Sequence, residues 1–301
     1  MAQSMKSNRL ARRIANVPIL GPLAKHFYYA LRGADALPTE VTCEMLGGYK
    51  LLLQPARDEF ERRMYRDREY EPATLSLLDK VLRPGDTMVD VGANLGLMSI
   101  HAAQRVTSNG RVVAIEPHPV YFKRLVDNVS LNGIKNVVAV NSAAGSAIEQ
   151  RTIYDSPDVN IGRSSLIDPG VGGMVAGQVT VDTLDHLLSD ARVRDVRLLK
   201  IDVEGFELEV LKGASETLKQ LPIICMEFDV ALPTGGWDHF STHDLLMETS
   251  NYSCYRFKRT KFHSSPLVEV TKKQEMQSLK FDNLVYVPKS LIGDLPKGLF
   301  A

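Results

Sequence analysis

The stretch Val89-Asp90-Val91-Gly92-Ala93-Asn94-Leu95-Gly96 limits what this chain can fold into more than any other. Twenty-four residues beyond Gly92, Glu116 closes the apolar run Val112-Val113-Ala114-Ile115. A buried strand, a tight glycine turn, a helix, a second strand and a terminal carboxylate make the first half of a nucleotide-type cofactor site. Gly92 ends a strand where the chain must turn sharply and let a ligand approach the backbone, which suits a residue without Cβ. Asn94 and Gly96 lead the turn into a helix whose first amides are unpaired and can hold a carboxylate. Asp90 is placed to meet an ammonium group, and Glu116 suits a bidentate grip on two ribose hydroxyls. The motif reads G-x-N-x-G. The G-x-G-x-x-G fingerprint of dinucleotide enzymes is absent, which speaks against a nicotinamide oxidoreductase.

Strand and helix alternate around this motif. The spacing predicts strands over 87–91, 111–116, 136–141, 196–202 and 223–228, with a closing antiparallel pair at 252–257 and 283–287. It predicts helices over 58–82, 96–106, 119–131, 207–218 and 241–250. Arg83-Pro84-Gly85-Asp86 stops the first, and Ser241-x-x-Asp244 reads as the cap of the last. His118 reads as the start of the 119–131 helix. Lys50-Leu51-Leu52-Leu53 is a short strand or hairpin. Such alternation implies a parallel sheet covered on both faces, with ligands at the carboxyl ends of the strands near the switch in strand order. Residues 1–57 read as a basic N-terminal extension and 58–301 as one domain.

The 301 residues carry no formal net charge, which gives no support to a nucleic-acid partner. Charge is uneven, however. From Met1 to Gly33 there are six basic residues and no acid. That leader reads as a solvated helix, or as an interfacial segment drawn to anionic lipid. Its apolar part, Ile14 to Leu31, is interrupted by Pro18, Pro22 and Lys25, and no run reaches the roughly 18 residues of a membrane span. Cys43, Cys225 and Cys254 form no C-x-x-C pair and suit a reducing cytoplasm. The expected location is cytoplasmic, with peripheral membrane contact as a separate expectation.

Lys200, Asp202 and Glu204 alternate at the end of the fourth strand and would share one face while the chain stays extended. Glu227, near the end of the fifth, faces the same edge. Lys200 could lower the acidity constant of a neighbouring acceptor, hold a substrate carboxylate, or form a buried ion pair with Glu227. Asp202 with Glu227 or Asp229 could supply oxygens to a divalent ion, but carboxylates on neighbouring strand ends are common without one, and no metal is expected. His239, in the loop after strand five, should overhang the acceptor site. With His243 it makes an i, i+4 pair that lacks a third ligand. Trp237 could stack on a sugar or aromatic acceptor, or cover the core. The 160–165 segment has no legible mechanism of its own.

Taken together, these blocks resemble the FkbM family of S-adenosylmethionine-dependent methyltransferases, within the class I methyltransferase fold. The resemblance is carried by Tyr70-Glu71-Pro72, by Pro84 through Gly96, by Ala114 through Pro119 and by Asn128. It continues in Ser164-Ser165-Leu166, Val181 through Asp185, Leu199 through Glu207 and Gly213-Ala214. It implies a Rossmann-like, seven-stranded, mostly parallel sheet with helices on both faces. It also implies methyl transfer from S-adenosylmethionine to a hydroxyl or carboxyl oxygen of a small molecule, sugar or glycolipid. The same resemblance makes the 160–165 segment a candidate for cofactor or acceptor contact. With the residue reading, this gives a cofactor set of Asp90, Gly92, Asn94, Gly96, Glu116, Pro117, Ser142, Glu71 and Asp202. The catalytic set is Asp202, Lys200, Glu227 and His239. In-line displacement asks the protein to align donor and acceptor, exclude water and, for a hydroxyl, remove a proton. The alternative is a cofactor-binding accessory module without catalysis, against which intact Asp90, Glu116, Asp202 and Glu204 speak.

Overall fold

The computed structural model describes residues 37–155, 164–168, 170, 173–236, 238–279 and 281–301. The basic leader, Trp237 and residues 160–163 singled out above lie outside them. The folded unit described here spans Glu40–Ala301.

It opens with an antiparallel hairpin, β1 (Val41–Glu44) and β2 (Lys50–Leu53). Two helices follow, α1 (Glu59–Asp67) and α2 (Pro72–Val81), where the spacing predicts one. Left-handed residues divide them: Arg68 (φ 58°) ends α1, and Glu71 (φ 45°) precedes α2. Pro72 opens α2, where its missing amide costs nothing, and it disfavours helical backbone at the residue before it.

The alternating core then runs β3 (Thr87–Val91), α3 (Leu97–Val106), β4 (Arg111–Ile115), α4 (Pro119–Leu131) and β5 (Val137–Val140). Next come β6 (Ala143–Gly145), β7 (Glu149–Asp155), β8 (Ser164–Ser165), β9 (Met174–Thr183) and α5 (Leu184–Asp190). The second half is β10 (Leu198–Ile201), α6 (Glu207–Lys212), α7 (Ser215–Lys219) and β11 (Ile223–Asp229). It ends with α8 (Ser241–Glu248), β12 (Tyr252–Phe257), β13 (Leu267–Glu269), α9 (Lys273–Gln277) and β14 (Phe281–Pro288).

The main sheet has the order β13-β12-β14-β11-β10-β3-β4-β5, parallel from β11 to β5 and antiparallel at the other end. Seven of its strands are the expected ones. The eighth, β13, is a three-residue edge strand too short to show any alternation. A second sheet, β6-β9-β7-β8, fills 143–183, where the spacing predicts no strand. Its strand β7 buries Ile153 alone, so it carries no apolar pattern to read.

Period-two alternation sorts the main sheet between two cores. Met88, Val112, Leu198, Ile223 and Cys225 pack with α2, α3 and the hairpin. Val89, Val113, Leu199, Ile224 and Met226 pack with α5, α6 and α8. Strands covered on both faces read as continuous apolar runs for this reason. The expected division at residue 57 falls inside the folded unit, because Cys43, Met45, Tyr49, Leu51 and Leu53 of the hairpin are buried in the first core. Each large apolar side chain so buried stabilises by about 1.5–3 kcal/mol relative to exposure, which makes the hairpin part of the domain. The expected Ser241 cap is not formed. Phe240 occupies the N-cap of α8 without a side-chain bond, and Asp244 pairs with Lys273 instead.

From β3 the chain proceeds outward through β4 to β5, then returns to place β10 on the other side of β3. The switch in strand order lies between β3 and β10, where a doubly wound sheet opens a crevice at its carboxyl edge.

Candidate active site

A cavity of about 320 Å³ lies at that crevice and takes in Asp90, Gly92, Asn94, Glu116, Pro117, Lys200, Asp202, Glu227 and Glu71. Most of the predicted cofactor residues are therefore brought together, although they come from four separate segments.

Gly92 has φ 80°, and a Cβ there would stand 1.8 Å from the Asp202 carbonyl oxygen, so β3 and β10 meet through a gap that only glycine leaves. Ile115 accepts the amides of both Gly92 and Ala93 at 3.0 Å. The Asn94 amide donates to Glu116 Oε2 at 2.8 Å, and the His118 amide to Oε1 at 2.9 Å. The glycine turn thus holds the acid at the end of β4 directly. Burial pushes Glu116 up to about 7, against the pull of these two amides. His118 itself caps α4, its Nδ1 accepting the Val120 amide.

The turn differs from expectation in one respect. The Leu95 amide donates to Asn94 Oδ1 and that of Gly96 to the Ala93 carbonyl, so the amides from Gly92 to Gly96 are all used within the chain. A ligand carboxylate must look further along, and Leu97 and Met98, which open α3, line the cavity.

Asp90 is fully buried. Its Oδ2 accepts the Ser99 hydroxyl at 2.6 Å, while Oδ1 has no hydrogen-bond partner among the described residues. Strand register sets Lys200 directly beside Asp90 and Cys225. The Lys200 ammonium donates to Asp202 Oδ2 at 3.0 Å and stands 3.6 Å from Asp90 Oδ1. Burial pushes the Asp202 carboxyl up, but Lys200 and Lys261 outweigh it and hold it at about 2.

The Lys200–Glu227 pair, one of the three roles open to Lys200, is not formed. Glu227 Oε1 is held at 2.8 Å by Lys261, which also reaches Glu71 Oε1 at 3.0 Å and lies 3.8 Å from the centre of the Phe281 ring. Glu71 Oε2 in turn accepts the Thr74 hydroxyl and Asn283 Nδ2. Burial, reinforced by Asp202, raises Glu227 well above the usual carboxylate range despite Lys261. Asp202 therefore carries the negative charge and Glu227 the tendency to hold a proton. Asp202, Glu204 and Glu227 each bring an oxygen within 4.8 Å of the others, so of the two partners considered for Asp202 it is Glu227 that joins it, together with Glu204. Lys200 and Lys261 already neutralise two of the three.

Three predicted residues do not line the cavity: Gly96, whose amide donates to the Ala93 carbonyl where the turn enters α3, Ser142 and His239. Ser142 turns its hydroxyl to the Thr180 carbonyl at 3.0 Å, tying β5 to the second sheet. His239 lines a separate depression of about 30 Å³ with Asp238 and Thr242. Asp229 and Asp238 accept the amides of Ala231 and Phe240, closing two tight turns in the loop after β11. His243 is buried against Tyr286, with its Nδ1 3.3 Å from the hydroxyl. Phe60, Arg63, Lys261 and Phe281, absent from the sequence reading, and Tyr70, which it gave no role at the site, also line the wall. Helical spacing puts Phe60 and Arg63 on one face of α1, but no local signal aims that face at the strand ends.

Comparison with known proteins identifies the family. The sequence matches the methyltransferase FkbM domain over residues 90–254, more than half of the chain. It is 30% identical over 167 residues to the hexuronic acid methyltransferase AglP of Haloferax volcanii, covering 54% of this chain and 64% of that protein. It is also 30% identical over 164 residues to the 31-O-demethyl-FK506 methyltransferase FkbM of Streptomyces tacrolimicus, covering 45% of this chain and 62% of that one. The chain thus spans somewhat less than two thirds of the length of either relative. The crystal structure of M. jannaschii TYW2 in complex with AdoMet aligns with a TM-score of 0.44 at 12% identity, over 82% of this chain and 84% of that one.

Proposed function

We propose that this chain, which belongs to the FkbM methyltransferase family, transfers a methyl group from S-adenosylmethionine to an oxygen of a small molecule, sugar or glycolipid. The observation that carries the reading is the pairing of the Gly92–Gly96 turn with Glu116, beside a buried Asp90 oxygen that accepts no hydrogen bond from a described residue and has the Lys200 ammonium 3.6 Å away. Buried polar atoms in native proteins are nearly always satisfied, and an ammonium group of the cofactor would satisfy this one. Each Glu116 oxygen accepts one amide and keeps a further lone pair, so two ribose hydroxyls can still donate to it. When bound, the cofactor supplies a methyl group made electrophilic by its sulfonium.

The remaining chemistry belongs to the chain. Asp202, ionised and held by Lys200, accepts a hydrogen bond from the acceptor hydroxyl and orients its oxygen. A carboxylate held at about 2 is a poor base, so Asp202 positions first and receives the proton only as the new bond forms. The apolar wall of Phe60, Leu97, Met98 and Phe206 excludes water. An oxygen acceptor is supported by the FK506 relative, whose substrate is named as a 31-O-demethyl compound.

The alternative of a non-catalytic accessory module predicts cofactor binding without turnover on any acceptor. Among the described residues, no helix is long and apolar enough to cross a membrane. Contact of the leader with anionic lipid is tested by vesicle co-sedimentation against a chain lacking residues 1–33.

The deciding experiment is calorimetric titration with S-adenosylhomocysteine, with NAD as comparison. Binding on the order of micromolar, lost in Glu116→Ala, supports the reading. Folded protein that binds NAD and not S-adenosylhomocysteine overturns it.

A further inference from the structure

Among the described residues three cationic side chains line the cavity, and two are already committed. Lys200 sits between Asp202 and Asp90, and Lys261 between Glu71 and Glu227. The third, Arg63 of α1, makes no hydrogen bond or ion pair with any described residue. Its helical neighbours do not claim it: Glu59 pairs with Arg62, and Asp67 with Arg66. Arg63 is half-buried, and its guanidinium lies 4.1 Å from the centre of the Phe262 ring and 5.8 Å from that of Tyr70.

The surroundings are aromatic. Phe60 meets Tyr70 edge-on at 4.5 Å, Tyr70 meets Phe262 at 5.8 Å, and Phe262 meets Phe281 at 6.0 Å. Tyr70 joins this end of the cavity to the acid end, because its hydroxyl is within electrostatic reach of Asp202 and Glu227. A stacked guanidinium keeps its edge donors exposed, in a fork that matches a carboxylate. Stacking also fixes the side chain beforehand, so little rotamer freedom is left to lose when an anion arrives.

From this geometry we infer that the acceptor carries a carboxylate, gripped bidentately by Arg63, on a ring that lies against Phe60 and Tyr70. The substrate class is an acidic sugar. This inference rests on the methyltransferase reading above and narrows it. With its carboxylate held by Arg63, such an acceptor presents a hydroxyl to the methyl donor, so the product is an ether and the free acid survives.

The test is calorimetry on the full chain with methyl β-D-glucuronide and the neutral methyl β-D-glucoside, each with and without S-adenosylhomocysteine. The glucuronide should bind about ten-fold or more tighter than the glucoside, in keeping with charge-assisted bidentate bonds. Arg63→Gln should erase that preference and leave glucoside and S-adenosylhomocysteine binding unchanged. Arg63→Lys, with a point charge and no fork, should fall between. Thermal melts of both variants confirm that they fold. Equal affinity for the two sugars, or no binding of the glucuronide, overturns the inference. So does loss of S-adenosylhomocysteine binding in Arg63→Gln, which would assign Arg63 to the cofactor's own carboxylate. If S-adenosylhomocysteine fails to bind the unaltered protein, the methyltransferase reading falls, and the sugar pair without it still decides the role of Arg63.

Discussion

Lys261 follows Glu227 by 34 residues in the chain, and its ammonium lies 2.8 Å from Glu227 Oε1. The same ammonium lies 3.0 Å from Glu71 Oε1. One buried cation thus ties the start of α2, the end of β11 and the loop before β13 into the floor of the cavity. Removing one partner of a buried ion pair leaves an uncompensated charge, at a cost of about 3–5 kcal/mol.

Lys261→Met should therefore lower the free energy of unfolding by about 3–5 kcal/mol at neutral to mildly alkaline pH, read by urea denaturation. The deficit should narrow as pH falls. Burial raises Glu227 in the folded state, so the native protein binds more protons than the unfolded chain, and acidification favours the fold at this group. A variant as stable as the parent would show that the pair does not clamp the site.

Gly92→Ala and Gly85→Ala separate conformational cost from collision. Both glycines have positive φ, 80° and 95°, but nothing lies within 4 Å of a Cβ at Gly85, whereas one at Gly92 meets the Asp202 carbonyl at 1.8 Å. Gly85→Ala should lose only about 1–2 kcal/mol. Gly92→Ala should lose clearly more and also abolish S-adenosylhomocysteine binding, since the contact is relieved only by parting β3 from β10. Similar melts for the two variants would refute this account of the turn.

Glu116 sets a pH dependence in two opposite directions. Ribose hydroxyls donate to the ionised form, and burial holds this carboxyl at about 7, so S-adenosylhomocysteine affinity should rise between about pH 6 and 8. The ligand-free fold should behave the other way. A folded value raised from the usual 4.5 means that the native state binds more protons. The contribution of this group to stability is therefore present below 4.5 and lost as pH climbs through about 7. Calorimetry across pH reads the first effect and thermal melts the second; Glu116→Ala should remove this rise in affinity and weaken binding about ten-fold or more. A flat affinity profile in the parent protein would exclude Glu116 as the ribose ligand.

Asp202→Asn keeps the shape of the side chain and removes the charge that meets Lys200 at 3.0 Å. Turnover should fall about 100-fold, within the usual range for loss of a positioned proton acceptor. S-adenosylhomocysteine affinity should change by no more than about three-fold. Single-turnover kinetics on a working acceptor reads the first, calorimetry the second. Full activity in this variant would place the proton acceptor elsewhere.

Some of this was legible in the sequence because the cause is local. Met88 and Val89, or Leu198 and Leu199, sort to opposite cores by the two-residue period of an extended chain, and that period is written in the residues themselves. The Gly92 turn and the Glu116 carboxylate are likewise local, a residue without Cβ where the backbone must pass closely and an acid at a strand end. The break between α1 and α2 was less legible, because apolar spacing runs on across Arg68 to Glu71 while left-handed backbone interrupts it.

By itself the sequence determined the alternating strands and helices of the sheet and the glycine turn that meets the Glu116 carboxylate, since periodicity and steric demand act within a few residues. Only the tertiary structure decided which charges meet. Asn283 reaches Glu71 across 212 residues, and Lys261, with no motif around it, displaces Lys200 as the partner of Glu227. It also left His239 out of the cavity lining and set Arg63 into it. Ion pairs and cavity walls depend on distances of a few ångströms between remote segments, and those distances are fixed by packing, not by order along the chain.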